Sequence, residues 1–131
     1  RSELARAIPS LLCVLVSLLV VAGCIPPSLP EALVDANCDV EPDPPGVGSL
    51  LVTCRFADSA GNPMSVADLR LEANMTHPGM QPAVTEMRSV EGERYAGTVE
   101  ITMAGDWYLL VTGRTGDGRP FEHTESLAGV R

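Results

Sequence analysis

From Ser49 onward the apolar residues recur with a period of two, the spacing of a half-buried strand and not of a helix. In Leu50-Leu51-Val52-Thr53-Cys54-Arg55-Phe56, positions 50, 52, 54 and 56 are apolar and share one face, while Thr53 and Arg55 point the other way. Asp58-Ser59-Ala60-Gly61-Asn62-Pro63 is dense turn chemistry. Leu69, Leu71, Ala73 and Met75 then alternate with Arg70, Glu72 and Asn74, and a loop runs from Thr76 to Pro82. Val84 to Val90 reads as a weaker strand at a sheet edge, closed by the turn Glu91-Gly92-Glu93. Tyr95, Gly97, Val99, Ile101 and Met103 alternate with Ala96, Thr98, Glu100 and Thr102. Ala104-Gly105-Asp106 turns the chain into a strand begun by Trp107, Leu109 and Val111. Thr112 to Arg119 reads as a loop and Phe121 to Ser126 as the final strand.

Short strands at nearly regular spacing predict an all-β domain over residues 49–131. The expected architecture is an immunoglobulin-like two-sheet antiparallel sandwich of six or seven strands, with a small barrel as the structural alternative. Parallel α/β is excluded because no amphipathic helix lies between the strands.

The front of the chain follows a different pattern. Arg1 and Arg6 precede an apolar run, Leu11 to Ala22, broken only by Ser17. A membrane-spanning helix needs about 20 apolar residues, more than this run supplies. Positive start, apolar middle and small residues at the end are the layout of a signal peptide, here a signal helix over residues 1–23. Val21-Ala22-Gly23-Cys24 resembles the bacterial lipoprotein box, which implies a lipid on Cys24, attachment to a membrane and a location outside the cytoplasm, in the periplasm or at the cell surface. A plain signal peptide or a short uncleaved anchor is the alternative. Residues 24–48 carry prolines 26, 27, 30, 42, 44 and 45 and acids 31, 35, 39, 41 and 43. Such a stretch buries too little apolar surface to collapse alone and reads as a stiffened tether, with at most one helical turn over Glu31 to Ala36.

Cys38 and Cys54 remain once the signal and the lipid site are set aside. Two cysteines in an exported domain read as a disulfide, worth roughly 3 kcal/mol for a loop of this length. It would fasten the end of the tether to the first core strand. Free thiols and a thiolate metal pair are the other readings, the latter without any CxxC spacing to support it.

Charge and composition narrow the function. The formal net charge is −8, and every basic residue is arginine. An acidic chain lacks the positive field that displaces phosphate counterions, which argues against nucleic acid as a partner. Two histidines leave little for His-based catalysis. There is no phosphate loop before a helix and no nucleophile elbow. No catalytic residues are assigned and the protein is not expected to be an enzyme.

One loop carries candidate chemistry. Met75, His77 and Met80 lie within six residues. Thioethers with an imidazole suit copper(I), a soft ion. In an antiparallel sandwich the strand Tyr95–Met103 ends where the loop after Leu69–Met75 begins, so Met103 would join Met75, His77 and Met80 as a ligand. His123 starts the last strand near the opposite end and is left out. Against this stands packing: Met75 and Met103 fall on inward positions, Met fills irregular core gaps, and Trp107 closes the core. Both readings stay open.

Two stretches resemble a known family. Asn74-Met75-Thr76-His77-Pro78-Gly79-Met80 contains M-x-x-x-G-M, and Tyr95 to Trp107 reads Y-x-G-x-(apolar)-x-(apolar)-x-M-x-G-x-W. With the turn Asp58 to Pro63, they are similar to the YtkA-like domain, which is related to the FixH family. The resemblance spans roughly residues 46–112, and Met103-Ala104-Gly105-Asp106-Trp107 is its most specific part. It implies a small extracytoplasmic domain, often anchored, that is not known as an enzyme. FixH-like relatives are associated with copper supply to respiratory oxidases. The leading expectation is a lipid-anchored, non-enzymatic accessory domain handling copper(I). The rival is a metal-free structural adaptor that binds another envelope protein through a sheet edge.

Overall fold

Alternating apolar residues form pleated strands here wherever one face meets a second sheet. The computed structural model describes Gly23 and residues 28–131. Residues 1–22 of the signal segment and Cys24 lie outside the described residues. The strands are β1 (Asp35–Glu41), β2 (Gly48–Ala57), β3 (Val66–Met75), β4 (Ala83–Glu86), β5 (Arg88–Val90), β6 (Arg94–Ile101), β7 (Gly105–Thr115) and β8 (Pro120–Val130). They form two four-stranded sheets, ordered β1-β2-β6-β5 and β4-β3-β7-β8. Every pairing is antiparallel. This order corresponds to the ABED sheet and the C′CFG sheet of an immunoglobulin-like sandwich.

The inner faces are those the period of two assigns. Leu50, Val52, Leu71, Ile101, Leu109 and Val111 are fully buried between the sheets. Burying each such side chain stabilises the fold by about 1.5–3 kcal/mol. Phe56 lies against Tyr95 and Phe121, with ring centroids 5.6 and 5.3 Å away. The Tyr95 hydroxyl accepts a hydrogen bond from the Val66 backbone N–H at 3.1 Å. The Asp58 turn closes as its composition predicts: Asp58 Oδ1 accepts from the backbone N–H of Asn62 at 2.9 Å and of Ala60 at 3.0 Å. Donation from the Asn62 N–H, more than any other contact, holds the Asp58 carboxyl below its usual range.

Four features depart from the sequence reading. Residues 35–41, expected within the tether, form β1 and pair with β2 from Asp35↔Ala57 to Glu41↔Leu51. Ala36, Cys38 and Val40 point inward while Asp35, Asn37, Asp39 and Glu41 are exposed. Acids on the outer face kept the composition tether-like without breaking the alternation. Glu31 to Val34 run without helical structure, and the Ala32 N–H donates to Pro120 O at 2.8 Å, so the backbone there is committed to β8.

The expected edge strand Val84–Val90 is two strands in different sheets. The chain crosses at Met87, which is buried and donates its N–H to Leu69 O at 3.1 Å. Gly97 on β6 makes room for the crossing: a Cβ there would sit 3.1 Å from Met87 Cγ and 3.3 Å from Glu86 O. With β1 added and this strand divided, the total among the described residues is eight.

The Thr112–Arg119 loop is shorter than expected because β7 continues to Thr115 and β8 starts at Pro120. A tight turn joins them, with Thr115 N–H donating to Arg119 O and Gly118 N–H to Thr115 O, both at 2.9 Å. The Thr115 hydroxyl donates to the Asp117 carboxylate and Arg119 pairs with it, and both hold that carboxyl below its usual range. Finally, β6 ends at Ile101, and Met103 lies beyond it, 44% exposed. The inward position expected of Met103 required the strand to continue through it, and the turn begins first.

Candidate functional site

Two groups of ligating side chains occupy different places on the sandwich. The first is the methionine–histidine group expected from sequence. Met75 ends β3, in register with Trp107 on β7. A Cβ on Gly105 would sit 3.1 Å from Met75 Cε. The Thr76 N–H and hydroxyl both reach Asp106 O, at 3.4 and 3.5 Å. Trp107 Nε1–H donates to Met103 O at 2.9 Å, and Asp106 Oδ1 accepts from the Gly129 N–H at 2.9 Å. The loop leaving β3 and the Met103–Asp106 turn are therefore stitched together at one end of the molecule, as antiparallel topology requires. Met75 is half-buried, and His77 is exposed in the loop. Met80 is 41% exposed and Met103 44%. These two thioethers do not fill the core.

The second group was missed. Cys38 and Cys54 form a disulfide with Cα atoms 4.1 Å apart, across the register pair Cys38↔Cys54 of β1 and β2. That bears out the disulfide expected from exported cysteines. On the facing sheet, Phe121, His123, Glu125 and Leu127 point inward from β8, alternating with the exposed Glu122, Thr124 and Ser126. His123 Nε2 lies 3.0 Å from Glu125 Oε2, with side chains 25% and 36% exposed. Cys38 Sγ, a ligating nitrogen of His123 and a carboxylate oxygen of Glu125 all lie within 4.8 Å of one another.

His123 therefore has ligating neighbours that the sequence did not disclose, and Glu125 is not simply a solvated surface acid. Finding them requires the register across two sheets, because Cys38 and His123 are far apart in the chain. The local signal was partial: His-x-Glu on a strand places both side chains on one face.

The open side of the sandwich between β1 and β8 forms a groove of about 550 Å³, lined among others by Cys38, Asp39, Glu41, Asp43 and Glu125. It is tied at both ends, by Ala32 N–H to Pro120 O at 2.8 Å and by Val47 N–H to Arg131 O at 2.9 Å. Among the described residues, no helix is long and apolar enough to cross a membrane.

A family model described as YtkA-like matches residues 35–112, from the first residue of β1 into β7. Met75, His77, Met80 and Met103 fall inside the match, and His123 and Glu125 fall beyond it. No curated protein and no solved structure matches the chain.

Proposed function

The chain belongs to the YtkA-like family, and from that premise we propose that it is a non-enzymatic extracytoplasmic accessory domain that handles copper(I) at the methionine–histidine end. Family and disulfide together point outside the cytoplasm, where disulfides persist. The observation that carries the copper reading is the exposure of Met80 and Met103 at the end where Thr76 is joined to Asp106. Methionine is ordinarily a core residue, and exposed thioethers at an end that also carries an exposed imidazole offer soft donors without disturbing the fold. Met75, His77, Met80 and Met103 would supply three sulfurs and one nitrogen. A lipid on Cys24 would hold the domain at a membrane surface.

Titration of the full chain with copper(I) against a competing chelator tests this reading. Uptake of one ion, weakened roughly tenfold or more by Met80→Ile with His77→Ala, is the expected result. Uptake unchanged by the double substitution would remove the copper reading. Lipidation has a separate test. A Cys24→Ser chain should leave the membrane fraction, and one that stays there rules the lipid out.

A metal-free adaptor of the cell envelope draws on other residues. Val84 on β4 and Val90 on β5 are exposed on edge strands, where an extended partner can add a strand. It predicts a chain that takes up no copper and loses its partner when these valines are replaced by charged residues.

A further inference from the structure

We propose that Cys38, His123 and Glu125 form a zinc site that the Cys38–Cys54 disulfide keeps closed and that reduction opens. The proposal concerns the β1/β8 groove and does not rest on the copper reading. The three ligand atoms lie within 4.8 Å of one another, with His123 Nε2 and Glu125 Oε2 already at 3.0 Å. A tetrahedral ion with bonds of about 2.0–2.3 Å holds its ligands roughly 3.3–3.8 Å apart. No two of the ligand atoms are farther apart than 4.8 Å, about an ångström beyond that spacing. The ligands stand on strands of opposite sheets, and the groove that Cys38 and Glu125 line is tied at both ends by backbone hydrogen bonds. Such a frame holds its side chains more firmly than a loop can.

The donor set selects the ion. One thiolate, one imidazole and one carboxylate form a mixed sulfur–nitrogen–oxygen site that suits zinc, which accepts all three donors, whereas copper(I) would leave the hard carboxylate unused. Thiolate and carboxylate together balance the ion's two positive charges. Asp39, Glu41 and Asp43 line the same groove and raise the local concentration of cations at its mouth.

The disulfide decides whether the site exists. A disulfide sulfur carries no charge and is a poor ligand, and a histidine–glutamate pair alone binds metal weakly. A dithiol reductant breaks the S–S bond. It supplies two electrons and two protons, leaves Cys38 and Cys54 as thiols, and is itself oxidised to a disulfide. Zinc then displaces the Cys38 thiol proton into water, and the imidazole binds as its Nδ1–H tautomer, giving up the Nε2 proton it shares with Glu125 while Nδ1 takes one from water. Cys54, fully buried behind Cys38, can take the fourth position or leave it to water.

Zinc chloride titrated into the full chain against a chromogenic chelator tests this. The oxidised chain should compete negligibly. The chain reduced with a dithiol under argon should bind one ion per chain. Cys54→Ala, which frees the Cys38 thiol permanently, should bind without reductant. Within that background His123→Ala should weaken binding by roughly tenfold or more. Met80→Ile with His77→Ala should leave zinc affinity unchanged. Amide exchange on β2 and β6 reports whether each chain is folded. The proposal is overturned if the oxidised chain binds as well as the reduced one, or if neither the reduced chain nor Cys54→Ala is folded and binds. Binding unchanged by His123→Ala, or lost with His77 and Met80, overturns it too.

Discussion

The methionine end and the β1/β8 groove place similar chemistry in opposite mechanical settings. At the methionine end the backbone is fixed while the proposed ligands hang free: Trp107 is buried and bonded to Met103 O, yet Met80, Met103 and His77 are exposed. In the groove the side chains themselves are held. Cys38 is bonded to a buried cysteine, and His123 and Glu125 pair on an inner face. A free cluster can capture and release an ion with little cost to the fold. A held cluster couples its chemistry to stability.

The largest effect should come from Trp107→Ala. Removing this buried side chain should cost about 3–5 kcal/mol, read as a lower denaturant midpoint. A loss below about 1 kcal/mol would mean that the methionine end is not tied to the core through the indole. Next, Cys54→Ala should cost roughly 3 kcal/mol for a disulfide spanning this loop. A negligible loss would erase the contrast by making the groove as loosely held as the loop. Met80→Ile with His77→Ala should change stability by less than about 0.5 kcal/mol, because both sites are exposed. A larger loss would show these side chains packing after all.

The smallest effect belongs to a turn outside both regions. The folded-state value of Asp58 lies below its usual 3.8, so its ionised carboxylate stabilises the fold above that pH. The contribution is lost as pH falls through the lowered folded value. The protection of the Ala60 and Asn62 amides, taken relative to the intrinsic exchange rate at each pH, should fall below pH 3.8, and Asp58→Asn should flatten that pH dependence.

Legibility followed the range of the interactions. In β2, β3, β6 and β7 the alternation of apolar and polar side chains lies in one segment, and their buried faces match it. Met75, His77 and Met80 were equally local, and Met103 needed only antiparallel order to be placed near the same end. Asp35 to Glu41 also alternates, but its acids and flanking prolines gave it the composition of a linker. What distinguishes β1 is pairing with β2, a property of two segments. The division of Val84–Val90 at Met87 depends on Gly97 leaving space on another strand. The groove cluster needs both sheets stacked before Cys38 meets His123 and Glu125.

The pairing of β1 with β2 also sets how the domain bears load. Tension applied through the segment before Ser28 would first meet the hydrogen bond from Ala32 to Pro120, then the start of β1 at Asp35. Peeling proceeds until it reaches Cys38, where a covalent link carries the force into the buried strand β2. With the disulfide intact the sandwich behaves as a loop on a fixed pin. With the disulfide reduced the same pull can strip β1 away along its full length.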